Sequence, residues 1–219
     1  MNEFLGLYPA WLEPGIGAGW VIGFIATIHV LFSHASVGAA LVFAWLARRA
    51  VTANQPQHLD FIRKYGAFLL IFSYVLGSVT GPGIWFAATI ANPRGISALI
   101  HNFVWLWATE WVFFLIEVAG VYLLVYLAGR VPIKTYLRYC TIFALSSVGT
   151  LLIIVGILSF MLWPGQDSWY QTGGVLSAFF GESMFAQLSA RFFFMLTITG
   201  VVGGGLLLAI LLLCPDICL

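Results

Sequence analysis

Apolar residues fall in five long runs along the chain, roughly 17–47, 65–91, 98–128, 137–163 and 185–213. Each is longer than the about 20 residues a helix needs to cross a hydrocarbon core. Backbone exposed to lipid must satisfy its own hydrogen bonds, so every run is predicted to be helical. The expectation is an all-α, polytopic bundle of five transmembrane helices forming one membrane domain over 1–219. Only short polar stretches separate the runs, and there is no soluble domain, long linker or convincing internal repeat.

The basic residues orient these spans. Arg48, Arg49, Arg63 and Lys64 flank the first loop, and Arg130, Lys134 and Arg138 flank the third. Seven of the nine Lys and Arg residues therefore sit in two alternate loops. This asymmetry predicts an outside N-terminus and a cytoplasmic C-terminus, in the inner (cytoplasmic) membrane of a cell. Arg94, in the Asn92-Pro93-Arg94-Gly95 turn, is the outside exception. The N-terminal segment starts with Glu3 as its first charge and has no basic stretch, unlike a cleavable signal peptide. The outside loop 164–184, rich in Gly and aromatic residues, is expected to lie along the membrane interface.

Composition removes whole classes of function. The chain is 62% hydrophobic and 8% charged, against about 25% charged in a soluble domain. Its mean hydropathy is +1.02. A soluble enzyme is excluded, and a net charge of +1 gives no electrostatic footprint for nucleic acid. Three cysteines do not make a disulfide framework. Cys214-Pro215-Asp216-Ile217-Cys218 is no c-type haem signature, because that needs Cys-x-x-Cys-His.

Small residues mark expected close helix contacts at Gly77-xxx-Gly81 and Gly200-xxx-Gly204. Pro82 is expected to kink or end the regular part of span two, opening room for a flat group between helices.

Ionisable groups at bilayer depth cost about 2.5–3.5 kcal/mol on insertion scales, so each is a candidate site residue. His29 and His34 lie in span one, His101, Glu110 and Glu117 in span three, and Arg191 in span five. His29 suits either a haem or metal ligand, or a histidine hydrogen-bonded within the bundle. His34 lies about 140° further around the same helix, so the two imidazoles face different neighbours. Small residues follow His34, which favours packing against another helix. Glu110 and Glu117 are seven residues apart, on one stripe and about 10 Å apart along the axis. Inside a membrane such a pair suits a proton relay, a haem-site carboxylate, or two protonated acids bonded to neighbours. Trp107, Trp111, Phe113 and Phe114 wall the stripe. His101 is half a turn away from Glu110 and is expected at an interface or partner contact. Arg191 suits a clamp on a haem propionate or lipid head group, or a side chain reaching to the interface.

Taken in order, these stretches resemble the N-terminal half of subunit I of the cytochrome bd quinol oxidases. Ile28-His29-Val30-Leu31-Phe32 is similar to that family's Tyr-His-Phe-Leu-Phe. Gly77-Ser78-Val79-Thr80-Gly81-Pro82 is similar to its Gly-Val-x-Thr-Gly. Glu110 with Phe113-Phe114-Leu115-Ile116-Glu117 resembles its span with two glutamates around Phe-Phe-Leu. Phe160-Met161-Leu162-Trp163-Pro164 resembles its aromatic-Met-x-x-Pro exit. The resemblance implies that His29 is the axial ligand of a b- or d-type haem, with His34 and His101 as lesser candidates for the iron. It implies that Glu110 and Glu117 serve haem ligation or proton delivery, with Trp111 and Arg191 beside the cofactor. The chain departs from the family in several places. Its glutamates are seven rather than eight apart. The stretch that carries the quinol-side haem ligand reads Arg191-Phe192-Phe193-Phe194, without a His, and the long quinol-binding loop and later spans are absent.

The leading expectation is a haem-binding electron-transfer subunit of a bd oxidase-like respiratory complex. It would work among other membrane subunits, linked to a quinol or a c-type cytochrome, with oxygen reduction open. A haem-free scaffold beside a catalytic paralogue is the alternative from a different class. A proton-conducting subunit is the third reading, opposed by the few polar groups expected inside spans two and four.

Overall fold

The computed structural model describes residues 17–163 and 173–213, and none of these is in a β-strand. The helices are α1 (Ala18–Thr52), α2 (Gln57–Leu69), α3 (Leu76–Ala91), α4 (Pro93–Leu127), α5 (Ile133–Leu162), α6 (Val175–Phe179) and α7 (Met184–Leu213). A six-residue π-helical segment, Leu70–Val75, joins α2 to α3, so the second span is one helical rod of 35 residues. Among the described residues five helices are long and apolar enough to cross a membrane, and the chain is a multi-pass membrane protein. The N-terminal segment, Pro164 of the span-four exit and Cys214 to Cys218 lie outside the described residues.

Helix boundaries follow local chemistry. Asn92 Oδ1 accepts the Gly95 backbone N–H at 3.0 Å, and Pro93 is the first residue of α4. The Asn-Pro-Arg-Gly stretch is thus a capped helix start. The helix runs on to Leu127, but Phe103 leaves helical dihedrals at φ −120° and ψ 24°. The Phe103 ring is fully buried and meets Phe160 edge-on at 5.2 Å.

Pro82 does not end span two. It sits inside α3, which continues to Ala91. The irregular stretch is instead the π-helical segment two turns earlier, where an i→i+5 pattern inserts an extra residue.

α1 and α5 are the most enclosed spans, and α1 packs against α3, α5 and α7. α4 lies against α5 and α2. One apolar cluster joins Phe43, Tyr65, Val121, Tyr136 and Phe143. A second joins Phe103, Ile157, Phe160, Phe179 and Met184. In the second, α6 seats the Phe179 ring in a notch at Gly156, where a Cβ would overlap the ring. The described part of the 164–184 loop is therefore partly tucked into the bundle.

The two small-residue motifs are used differently from expectation. Gly81 does meet a neighbour, the His29 ring, but a Cβ at Gly77, Gly200 or Gly204 would find open space. The buried stripe of α7 is Met195, Thr199 and Gly203, spaced by four, and Gly200 and Gly204 lie one stripe over. The contact that brings α7 close to α1 is at Gly38. A Cβ there would strike the Thr199 side chain and the Met195 carbonyl, and Thr199 Oγ1 donates to the Ala35 carbonyl at 3.3 Å. Gly38→Ala is expected to cost about 1–3 kcal/mol through overpacking. Gly200→Ala, which fills open space and favours helix, should be neutral or slightly stabilising. Thermal unfolding of the two variants in one detergent checks the contrast.

Candidate functional site

The interior polar site is built around Glu117. Its side chain points from α4 into the bundle and is 3% exposed. Thr150 Oγ1, from α5, donates to Glu117 Oε1 at 2.5 Å. Tyr74 OH, from the π-helical segment, donates to Oε2 at 3.3 Å. Thr150 Oγ1 also lies 3.1 Å from the Ser146 carbonyl. Its single proton can go either way, so the site accommodates both states of the acid. With Glu117 ionised, Thr150 donates to it. With Glu117 protonated, Glu117 can donate to Thr150, which turns its own proton to Ser146.

Two further hydroxyls stand nearby in sequence on the same elements. Ser147 is fully buried one turn before Thr150, with its hydroxyl facing the Glu117 carboxyl. Ser73 precedes Tyr74 in the π-helical segment and is also buried, with no hydrogen-bond partner for its hydroxyl among the described residues. Buried hydroxyls without protein partners are the groups that internal water satisfies. Spans two and four therefore supply more interior polarity than their lack of ionisable groups suggested. Tyr74 and Thr150 were not singled out from the sequence. The Ser146-Ser147…Thr150 spacing within an apolar run was the available signal for α5. Nothing local marks the π-helical segment.

Glu110 lies two turns away on the same stripe of α4, half-buried and without a hydrogen bond or ion pair among the described residues. The segment between the two acids is regular, so the separation along the axis is about 10 Å. Trp111 is half exposed on the outward side and meets Phe114 edge-on. Trp107 meets Trp85 edge-on at 4.9 Å, and its buried Nε1–H has no partner among the described residues. His101 is exposed near the start of α4. The Phe103 irregularity lies between it and Glu110, so ideal-helix arithmetic does not carry across.

His29 faces span two, not the carboxylate stripe. Its Nδ1 is 3.0 Å from Thr80 Oγ1, beside the Gly77 carbonyl. Thr80 Oγ1 also lies 2.9 Å from the Leu76 carbonyl; when its proton goes there, Thr80 accepts from the His29 Nδ1–H and Nε2 is the bare nitrogen. Gly81 makes room for the ring, because a Cβ there would lie 3.3 Å from His29 Cε1. His34 looks the other way, edge-on to Phe194 of α7 at 5.2 Å. Its Nδ1 donates to the Val30 carbonyl at 2.9 Å, and its Nε2 is buried without a partner among the described residues. Arg191 is half-buried on α7 near His34, with no carboxylate partner among the described residues. The structure thus separates His29, which packs from α1 against span two, from the Glu110 and Glu117 stripe. No hydrogen bond or ion pair joins them among the described residues.

Among the described residues no cluster of three or more His, Cys, Asp or Glu could hold a bare metal ion. A lone imidazole with its second nitrogen held by a hydroxyl or carbonyl is a different donor set. It fits a group that brings its own equatorial ligands, as haem does. His29 meets this description, with the side-chain-free backbone of Gly77 and Gly81 beside it.

No protein family, curated protein or solved structure matches this chain.

Removing the Thr150 hydroxyl should reveal what its bond contributes. Thr150→Val is expected to destabilise the bundle by about 0.6–1.7 kcal/mol, the range for interhelical hydrogen bonds in membranes. Tyr74→Phe, at the longer contact, should lose less. Unfolding of both variants in detergent, compared with wild type, checks the order.

Proposed function

We propose that this chain is a haem-binding, electron-transfer subunit of a respiratory membrane complex similar to the cytochrome bd oxidases. The observation that carries the reading is the state of His29. Its Nδ1–H is held by Thr80, which is itself held by the Leu76 carbonyl. Such a relay fixes the orientation of the ring, as the outer partners of haem and metal histidines do.

In this reading His29 would hold a b- or d-type haem through Nε2, and the haem would supply one-electron chemistry. Gly77 and Gly81 allow a flat group to approach span two. Glu117 takes up and releases a proton between Tyr74, Thr150 and Ser147. Glu110, two turns away on the same stripe, is the next proton-holding group. Arg191, without a carboxylate partner among the described residues, is suited to hold an anionic group such as a propionate. Electrons come from a quinol or a c-type cytochrome through other membrane subunits, with oxygen as a candidate acceptor. The basic end of the bundle lies on the cytoplasmic side and the N-terminus outside, in the inner membrane of the cell.

A haem-free scaffold is the second reading, favoured by the run Arg191-Phe192-Phe193-Phe194, which offers no histidine on α7. A proton-conducting subunit is the third, favoured by the hydroxyls around Glu117.

Reduced-minus-oxidised spectra and haem extraction on the purified complex separate these readings. His29→Ala is expected to remove one haem, and Thr80→Val to weaken its retention about 10–100-fold. A full haem complement in His29→Ala overturns the proposal, and wild-type protein without haem favours the scaffold. Proton flux without haem, lost in Glu117→Gln, favours the conducting subunit.

A further inference from the structure

The seven basic residues of the two alternate loops meet at one end of the bundle. The end of α1 and the start of α2 bring Arg48, Arg49, Arg63 and Lys64. The turn after α4 and the start of α5 bring Arg130, Lys134 and Arg138. Asp60 is the acid that forms ion pairs among the described residues, to Arg63 at 2.7 Å and to Lys64 at 2.8 Å. One carboxylate shared by two cations leaves this corner positive.

A concavity of about 230 Å³ opens here between span two and α4. Arg63 lies on one wall and Arg130 on the other, with Tyr122, Tyr126, Leu70 and Val125 between them. The aromatic wall is ordered. Tyr122 and Tyr126 are one turn apart with rings almost parallel, at 2° and 6.3 Å. The Arg130 guanidinium lies over the Tyr126 ring, 4.3 Å from its centre. Arg130 is exposed and has no carboxylate partner among the described residues. The ring contact holds the guanidinium over a face and leaves its edge N–H groups free to donate.

Both walls change character in the same direction. From Arg63 to Leu70 and from Arg130 to Tyr122 they pass from cation to apolar surface over about 10 Å. Two opposed walls, charged at the end of the bundle and apolar toward its middle, match the polarity of a lipid rather than of a free anion. A soluble phosphate would use the cations and leave the Leu70 and Val125 surface bare. We propose that this concavity binds an anionic phospholipid. Its phosphodiester sits between Arg63 and Arg130, and its acyl chains run along Leu70 and Val125. Basic recesses between transmembrane helices are a recurrent way of holding such head groups.

The test uses the full-length chain in detergent, with retained lipid counted by native mass spectrometry. Phosphatidylglycerol is the probe, phosphatidylcholine the zwitterionic control and glycerol phosphate the head group without chains. Wild type should retain phosphatidylglycerol over phosphatidylcholine. Arg63→Gln and Arg130→Gln should each lower that retention about fivefold, the equivalent of 1 kcal/mol per basic residue. Tyr126→Leu should lower it and Tyr126→Phe preserve it. Lys134→Gln and Arg48→Gln, with the same charge change at the same end, should leave it unaltered. Three results overturn the proposal. These are equal retention of phosphatidylcholine, equal loss in the Lys134 and Arg48 controls, or competition by glycerol phosphate as strong as by the lipid. The last would mark a soluble anion or acidic peptide site instead.

Discussion

A carboxyl group enclosed among apolar helices is costly without partners, and the way Glu117 meets that demand ties this bundle together. Lipid offers no hydrogen bonds, so the direct partners of Glu117 come from neighbouring helices. Thr150 supplies one bond from α5 and Tyr74 another from span two. Three spans are thereby tied at one level by an interaction with defined direction, where apolar packing alone is tolerant of rotation. Lipid is as apolar as leucine, so specificity between membrane helices must come from close packing and from hydrogen bonds of this kind.

The π-helical segment is part of the same solution. An extra residue in the second span changes which side chains face inward from that point on. Ser73 and Tyr74 are both buried although they are adjacent in sequence, which is awkward on a regular amphipathic stripe. Such segments occur mostly at functional sites because they trade regular bonding for the placement of one side chain. On α1, ordinary helical geometry suffices. His29 and His34 diverge enough to reach α3 and α7 separately, and each has its Nδ1 held by an oxygen. Meanwhile α4 leaves Trp105 and Leu115 exposed on its outer side, a surface suited to lipid or to neighbouring subunits.

Much of this was legible along the chain. The five spans were visible because hydrophobic length is a local property. The clustering of basic residues at one end followed from their alternation between loops. The shared stripe of Glu110 and Glu117 and the divergence of His29 from His34 followed from 100° per residue over short regular stretches. Where regularity failed, so did the arithmetic. Phe103 intervenes between His101 and Glu110. Pro82, the obvious candidate for a break, is accommodated within α3, while the break with consequences lies in an unmarked Leu-Ile-Phe-Ser-Tyr-Val run. The glycine motifs were found by spacing, yet Gly38 and Gly203 make the close approaches of α7.

The sequence by itself determined an all-helical membrane chain, its spans, its basic end and the few polar groups available for chemistry. Each of these depends on hydropathy or on spacing within one helix. Only the tertiary structure decided which groups meet. It gave Glu117 to Thr150 and Tyr74, His29 to Thr80, and Arg63 to the same concavity as Arg130. Those pairings join residues far apart in the chain. They depend on how each helix is rotated about its axis, which the side chains of all its neighbours set together.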